Sequence, residues 1–279
     1  TEVREFHTPG SGIFIRAGRR LVSEKTPYQK LEIYETDSYG RVLLLDGLVQ
    51  TTEKDEFFYH EMLVHPAMMS HPQSRDILII GGGDGGTLRE VLRHPVRSAH
   101  LVEIDARVIE ACRKYFPQLS ASFEDERAEI VVDNGNRFIR KTDRRFDVIL
   151  VDSSDPLGPS AVLHRKAFFA GLKRCLQAGG IIAAQAGAPL FHLGHLRRKR
   201  AILKSLFNFV RYYLGPVPTY PGGLWCYVFL SDRIDPLKPW RRKAPKNLRY
   251  YNGDIHRAAF ALPEFLRDKV LLEVTDIDG

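Results

Sequence analysis

One carboxylate, that of Asp84, stands inside a run of glycines at residues 81–86 (GGGDGG). The run follows an apolar segment that ends at Ile80 and precedes a helical pattern that begins at Thr87, which is the context of a nucleotide-binding loop. Such a loop presents backbone N–H groups to a phosphate, which a nearby carboxylate would repel. Asp84 therefore indicates a ligand that is cationic at this point, and a simple helix cap is the alternative.

A pair of acids, Asp152 and Asp155, follows the apolar segment 147–151. Two carboxylates three residues apart could hold an ammonium group. Prolines and glycines punctuate the chain after them, so we expect residues 155–165 to act as a lid. Metal binding is the competing interpretation, and it is disfavoured because no histidine or further acid stands at ligand spacing nearby.

Hydrophobic periodicity predicts the elements that position these acids. Residues 1–54 carry short strand patterns at 12–15, 29–35 and 41–45, separated by turn signals, and predict a small antiparallel β domain. Residues 55–279 begin with a helical pattern at 55–69, and helical stretches then alternate with strand candidates at 77–80, 99–104, 129–132, 147–151, 180–185 and 225–230. The predicted fold class is α/β, with a Rossmann-like, mainly parallel sheet of the class I methyltransferase type beside the N-terminal domain.

Polar side chains mark the carboxyl ends of the predicted strands, where ligands of open α/β sheets bind. They are Asp84, Glu103, Asp133, Asp152 and Gln185. Glu103 follows the glycine run by about 20 residues, the place of an acid that accepts hydrogen bonds from ribose hydroxyls. Asp133 and Asn134 are placed to read an adenine amino group. Adenosine with a cation beside Asp84 describes a sulfonium nucleoside of the S-adenosylmethionine kind.

Composition narrows the possible partners and the compartment. The chain has 41 Lys and Arg against 34 Asp and Glu, a net charge of +7. Its basic clusters at 197–200 and 241–243 are not interleaved with aromatic residues, so we expect no nucleic-acid partner. No apolar run is long enough to span a bilayer, so no membrane partner is expected. Cys112, Cys175 and Cys226 lie far apart without metal spacing, which predicts a reduced, cytoplasmic setting.

Four ordered motifs resemble the spermidine synthase family of aminopropyltransferases: residues 81–86, 102–105 (VEID), 152–159 and 218–223 (PTYPGG). The resemblance continues through 46–62 and 250–266, nearly the whole chain. It implies decarboxylated S-adenosylmethionine as donor co-substrate, with no separate cofactor or metal. It also implies an amine acceptor, with putrescine first, and the products spermidine and methylthioadenosine. We further expect a homodimer or homotetramer.

The resemblance also implies roles for single residues. The nucleoside and sulfonium part of the donor would contact Gln50, His60, Glu103, Asp133 and Asn134. The aminopropyl amine would contact Asp84. The acceptor side would be lined by Tyr59, Asp152, Asp155, Gln185 and Tyr220, with Trp225 as an apolar wall.

The implied reaction requires a base. An alkylammonium has a pKa of about 10.4 and must lose a proton before it attacks the carbon next to the sulfonium. We expect Asp152 to accept this proton, since like charge from Asp155 and Asp84 and the loss of water under a lid would raise its pKa. The hydroxyls of Tyr59 and Tyr220 would orient the amine, and Asp155 would anchor the other end of the acceptor.

One departure from the family pattern concerns the acceptor. Many members carry an acid two residues after the glutamine at Gln185, whereas this chain continues with AGAP at 186–189. The less acidic wall leaves agmatine, or a triamine giving thermospermine or spermine, open beside putrescine. A class I methyltransferase would share the fold and Glu103, but it should tolerate the carboxylate of S-adenosylmethionine, which Asp84 repels. A non-catalytic nucleotide-binding protein is the third possibility.

Overall fold

The first sheet of the molecule is antiparallel. The structure is a computed structural model and describes residues 2–153, 165–238 and 243–267. Five strands pair in chain order: β1 (Glu2–Thr8), β2 (Ser11–Lys25), β3 (Lys30–Thr36), β4 (Gly40–Leu45) and β5 (Leu48–Thr52). Sequence analysis missed β1 and β5. In β1 the alternating inward positions are Val3 and Glu5, and the buried glutamate breaks the apolar pattern by which a strand is recognised.

The second sheet has seven strands in the order β11-β12-β10-β9-β6-β7-β8. They are β6 (Asp76–Gly81), β7 (Ser98–Glu103), β8 (Ala128–Val132), β9 (Phe146–Asp152), β10 (Leu176–Gly187), β11 (Phe209–Pro216) and β12 (Leu224–Ser231). The strand pairs from β10 to β8 are parallel, and β12 runs antiparallel to both of its neighbours, β10 and β11. This confirms the predicted fold class, although β11 was not predicted.

Helices cover the second sheet. The helices of the described residues are α1 (Glu56–Ser70), α2 (Gly86–Leu92), α3 (Ala106–Tyr115), α4 (Pro117–Ser120), α5 (Gly135–Lys141), α6 (Lys166–Arg174), α7 (Pro189–Lys204), α8 (Gly253–Ala259) and α9 (Glu264–Leu266). In β6, Ile77 and Ile79 join one core cluster, while Leu78 and Ile80 join the other. Residues 77–80 of this strand are all apolar because both faces of a parallel sheet are covered. None of the helices in the described ranges is both long and apolar enough to cross a membrane.

Helix α1 is held by two buried carboxylates, one just before it and one in its first half, and it carries two side chains of the cleft described below. Before it, Asp55 accepts hydrogen bonds from the hydroxyls of Thr52 (2.6 Å) and Thr219 (2.8 Å). Within it, Glu61 accepts three backbone N–H bonds from residues 249–251, at 2.8, 2.9 and 2.7 Å. Satisfied buried carboxylates of this kind hold a helix in one position. Tyr59 therefore projects from a rigid support.

Candidate active site

A cleft lies at the carboxyl ends of β9, β6 and β7 and is closed on one side by strands of the first sheet. It brings together most of the side chains predicted from the sequence: Gln50, Tyr59, His60, Asp84, Glu103, Asn134, Asp152, Gln185, Tyr220 and Trp225. These positions are far apart in the chain, and the strand order places their elements side by side. Asp155 and the predicted lid up to residue 164 lie outside the described residues.

The glycines are needed because the acids pack directly on their loop. Gly81 has a φ of +86°, and a Cβ there would stand 1.9 Å from the carbonyl oxygen of Asp152. A Cβ on Gly83 would meet the Cγ of Glu103 at 2.9 Å. A Cβ on Gly82 would lie 3.0 Å from Oδ2 of Asp152, so the glycine run allows the acids at the ends of both neighbouring strands to approach the loop.

Asp152 is held by two hydroxyl groups. Tyr59 donates to its Oδ1 at 2.8 Å, and Thr87 donates to its Oδ2 at 2.6 Å. Burial and the neighbouring charge of Asp84 raise the pKa of Asp152, although His60 and the two hydroxyls act in the opposite direction. The direction agrees with the sequence-based expectation. Thr87 was not predicted, since nothing in the local pattern distinguishes it from other first-turn helix residues.

Asp84 is paired, whereas the sequence analysis treated it as an available anion. Its Oδ2 lies 3.4 Å from Nε2 of His60, and its Oδ1 accepts the N–H of Gly86 at 2.8 Å. Burial alone would raise the pKa of Asp84, but the interactions with His60, the backbone N–H of Gly86 and the charge of Arg89 together outweigh burial and lower it. The other ring nitrogen of His60, Nδ1, lies 2.7 Å from Glu56. Both nitrogens of His60 are therefore occupied by protein groups, so its predicted contact with the donor is restricted to the rest of the ring.

Three titratable side chains lie close together in space, although no histidine or further acid stands at metal-ligand spacing near Asp152 and Asp155 in the sequence. Single ligand atoms of His60, Asp84 and Asp152 lie within 4.8 Å of one another. Burial would lower the pKa of His60, but Asp84 and Glu56 raise it well above the ordinary value. Both ring nitrogens of His60 already lie against carboxylates of the protein, Nδ1 at 2.7 Å from Glu56 and Nε2 at 3.4 Å from Asp84. The donor set therefore suits a hydrogen-bonded charge network better than a metal centre.

Glu103 occupies the end of β7 as predicted. Its carboxylate accepts the backbone N–H of Asp105 at 2.9 Å, and burial raises its pKa to about 7. Asp105 has a different task, since it accepts the hydroxyl of Thr26 at 2.7 Å and caps α3. Of the two acids at this strand end, Glu103 lines the cleft.

The two residues predicted to contact adenine, Asp133 and Asn134, differ in their access to the cleft. The carboxylate of Asp133 is bonded to Arg137, and Asp133 does not line the cleft. Asn134 lines the cleft, and its side chain accepts the N–H of Arg137 as the cap of α5. Asn134 is thus better exposed to a ligand than Asp133.

The acceptor side is formed by aromatic rings and an amide. The hydroxyl of Tyr220, predicted to orient the amine, donates to the backbone carbonyl of Gln50. The ring centroid of Tyr220 lies 5.6 Å from that of Tyr59 and 4.8 Å from that of Trp225. Gln185 donates through Nε2 to the carbonyl of Ser153 at 2.9 Å. Oε1 of Gln185 and Nε1 of Trp225 are buried without a hydrogen-bond partner within the described ranges.

Glu5 is a cleft residue that the sequence analysis missed. It is buried, accepts the N–H of Val49 at 2.8 Å and lines the cleft from β1. Only recognition of β1 as a strand could have drawn attention to it, because its position alternates with outward-facing residues. It adds a carboxylate from the first sheet to those supplied by the second.

This fold and cleft define a Rossmann-like protein with an acid-lined cleft at the carboxyl ends of its parallel strands. Residues 56–238 match the family model described as a spermine/spermidine synthase domain, and residues 3–53 match the spermidine synthase tetramerisation domain. The chain belongs to the spermine/spermidine synthase family of polyamine aminopropyltransferases.

Relatives and solved structures agree over almost the full chain. The polyamine aminopropyltransferase of Moorella thermoacetica is 46% identical over 266 residues, covering 95% of this chain and 94% of that protein. The protein of the same name from Caldicellulosiruptor saccharolyticus is 42% identical over 94% of this chain and 95% of its own length. A spermidine synthase crystallised with the transition state analogue AdoDATO has a TM-score of 0.94 at 42% identity, covering 98% of this chain and 96% of that one. The spermidine synthase of Thermotoga maritima has a TM-score of 0.93 at 43% identity, covering 98% and 95%.

Proposed function

We propose that this chain transfers the aminopropyl group of decarboxylated S-adenosylmethionine to putrescine, giving spermidine and methylthioadenosine. The observation that carries the proposal is a half-buried Asp152, oriented by the hydroxyls of Tyr59 and Thr87, in the same cleft as Asp84. A carboxylate with a raised pKa suits a base, and an ionised neighbour suits a bound cation.

The donor would lie across the carboxyl ends of the strands. Glu103 would accept hydrogen bonds from its ribose hydroxyls, and Gln50 and Asn134 would face the base. Asp84 would attract the ammonium of the aminopropyl chain. Asp133, which is bonded to Arg137, would contribute to adenine recognition mainly through the turn that it stabilises.

The chemical step transfers one proton, forms one carbon–nitrogen bond and breaks one carbon–sulfur bond. The acceptor ammonium gives a proton to Asp152, and the resulting neutral amine attacks the carbon next to the sulfonium. A carbon–nitrogen bond forms as the carbon–sulfur bond breaks, and its electron pair stays on sulfur, so the sulfonium becomes the thioether of methylthioadenosine. Tyr59 holds Asp152 in place for this transfer, while Gln185, Tyr220 and Trp225 line the path of the amine, with Asp155 proposed as its distal anchor.

An amine panel tests the proposal. The protein is incubated with decarboxylated S-adenosylmethionine and putrescine, agmatine or spermidine, and products are identified by mass spectrometry. Methylthioadenosine formed fastest with putrescine supports the proposal, and faster turnover of agmatine or spermidine would reassign the acceptor. S-adenosylhomocysteine formed from S-adenosylmethionine would show a methyltransferase instead, and lack of turnover with every amine would refute the proposal.

The first sheet supports an oligomer. The matching domain model is a tetramerisation domain, and we propose a homotetramer in which residues 1–54 act as the assembly domain and residues 55–279 as the catalytic one. Phe6 and Phe14 are 68% and 67% exposed on one face of the β1–β2 pair. Light scattering should give a tetramer mass that falls in Phe14→Asp. A cytoplasmic location is also proposed, because all three cysteines are buried as free thiols.

A further inference from the structure

His60 is clamped between two carboxylates that belong to different elements. Its Nδ1 lies 2.7 Å from Glu56, one turn earlier on α1, and its Nε2 lies 3.4 Å from Asp84 on the glycine loop. The side chain of His60 is only 4% exposed. An imidazole enclosed by an acid on each side is stabilised as the cation, because only that form donates from both nitrogens.

Glu56 is itself held in place by an arginine of the neighbouring helix α2. Arg89 of α2 donates to its two carboxylate oxygens at 3.0 and 2.9 Å, and the same arginine donates through Nε to Glu90 at 2.8 Å. Such a bidentate pair sets the direction of a carboxylate as well as its charge. Glu56 is buried and does not line the cleft, and His60 is the cleft residue to which it is hydrogen-bonded.

The clamp matters because two acids of the cleft stand side by side. Neighbouring carboxylates in a poorly solvated site do not both ionise easily. The ion pair with His60 reaches Asp84, whereas Asp152 is contacted by the hydroxyls of Tyr59 and Thr87. The surroundings therefore favour the ionised form of one acid over that of the other.

We propose that Glu56 is a positioning residue that keeps His60 cationic, and that it thereby gives the two acids separate tasks, Asp84 as the permanent anion and Asp152 as the proton acceptor. The statement about these tasks rests on the proposed function. The charged groups that face His60 are Glu56 from α1, Asp84 from the glycine loop and Asp152 from the end of β9, with Arg89 of α2 acting through Glu56.

The first test is the pH dependence of kcat/KM for the donor in Glu56→Gln. The amide oxygen can still accept the Nδ1–H bond, but the negative charge is gone, so the pKa of His60 falls toward its ordinary value of about 6.5. Above that pH the ring becomes neutral, and Asp84, now without a counterion beside Asp152, competes with Asp152 for one proton instead of standing as the permanent anion. We expect near-native kcat/KM at about pH 6, a loss of about tenfold or more at about pH 8, and an alkaline limb lowered by at least about one unit. Glu110→Gln, which removes an exposed carboxylate from α3, should leave the profile unchanged.

The second test needs no substrate. Nitrogen chemical shifts of the His60 ring, identified by comparison with His60→Gln, report its protonation in the native protein. We expect the cation at about pH 7.5 in the native protein and a neutral ring in Glu56→Gln. A neutral native ring, or superimposable pH profiles of the two proteins, would overturn the proposal. Failure of turnover with every amine would instead refute the proposed function and leave the ring measurement valid.

Discussion

The carboxylates at the two ends of the parallel strands differ in their hydrogen-bond partners and in the direction of their pKa shifts. At the carboxyl ends, Asp152 accepts bonds from hydroxyls and Glu103 accepts backbone N–H, and burial raises the pKa of both, that of Glu103 to about 7. At the amino end, Asp76 is bonded to Arg97 and to Ser98. These partners outweigh partial burial and lower the pKa of Asp76.

The contrast shows how a basic protein keeps acids available for a cationic substrate. Arg89 is hydrogen-bonded to Glu56 and Glu90 and not to Asp152. An arginine on Asp152 would fix it as an anion with a low pKa and leave it a poor proton acceptor. Neutral hydroxyl donors orient the carboxylate with a smaller effect on its basicity.

The largest effect on activity is expected from loss of the carboxylate of Asp152, at the carboxyl ends of the parallel strands. Asp152→Asn should lower kcat by about 10²-fold or more, the usual range for loss of a positioned base, with donor affinity close to native. The deficit should shrink as pH rises, because a larger share of the amine is then already neutral. Asp76→Asn is the matched control and should leave kcat unchanged. A near-native rate of Asp152→Asn at neutral pH would show that the amine binds deprotonated.

Asp84→Asn should weaken donor binding. The variant loses a charge-assisted contact with the donor ammonium, so we expect calorimetry to show about tenfold weaker binding or more. The preference for the decarboxylated donor over S-adenosylmethionine should shrink as well. Equal affinity of the native protein for both nucleosides would contradict this role of Asp84.

Thr87→Val should shift the pH profile of kcat and leave the fold intact. Loss of the 2.6 Å hydroxyl contact raises the pKa of Asp152, so the acidic limb of kcat should move to higher pH by about half a unit to one unit. Thr87→Ser keeps the hydroxyl and should restore the native limb. An unchanged limb in Thr87→Val would show that the contact orients other groups.

Glu103 should give the smallest effect, a pH dependence of nucleoside binding. Its pKa of about 7 means that it becomes ionised as pH rises through neutrality, and an ionised carboxylate accepts hydroxyl hydrogen bonds better. Calorimetry with methylthioadenosine should therefore show affinity that increases about twofold to tenfold from pH 6 to pH 8. In Glu103→Gln this dependence should disappear, and its persistence would assign the titration to another group.

The sequence by itself determined the fold class and the edge at which the acids gather. Alternating apolar strands and helices require a mainly parallel sheet, and the carboxyl ends of parallel strands share one edge. The order of the motifs along the chain is therefore enough to place Asp152, Glu103 and the glycine loop together. Their spacing along the chain is large, but the regular topology leaves few alternatives.

The tertiary structure alone decided the partners of those acids. The hydroxyl of Tyr59 reaches Asp152 across 93 positions of sequence, and the hydroxyl of Thr87 reaches it across 65. Pairing of Asp84 with His60 and placement of Glu5 in the cleft also depend on how α1 and the first sheet pack against the second. Periodicity reports which face of an element is buried, whereas hydrogen bonds between elements depend on their relative positions, which are fixed only when the whole core packs together.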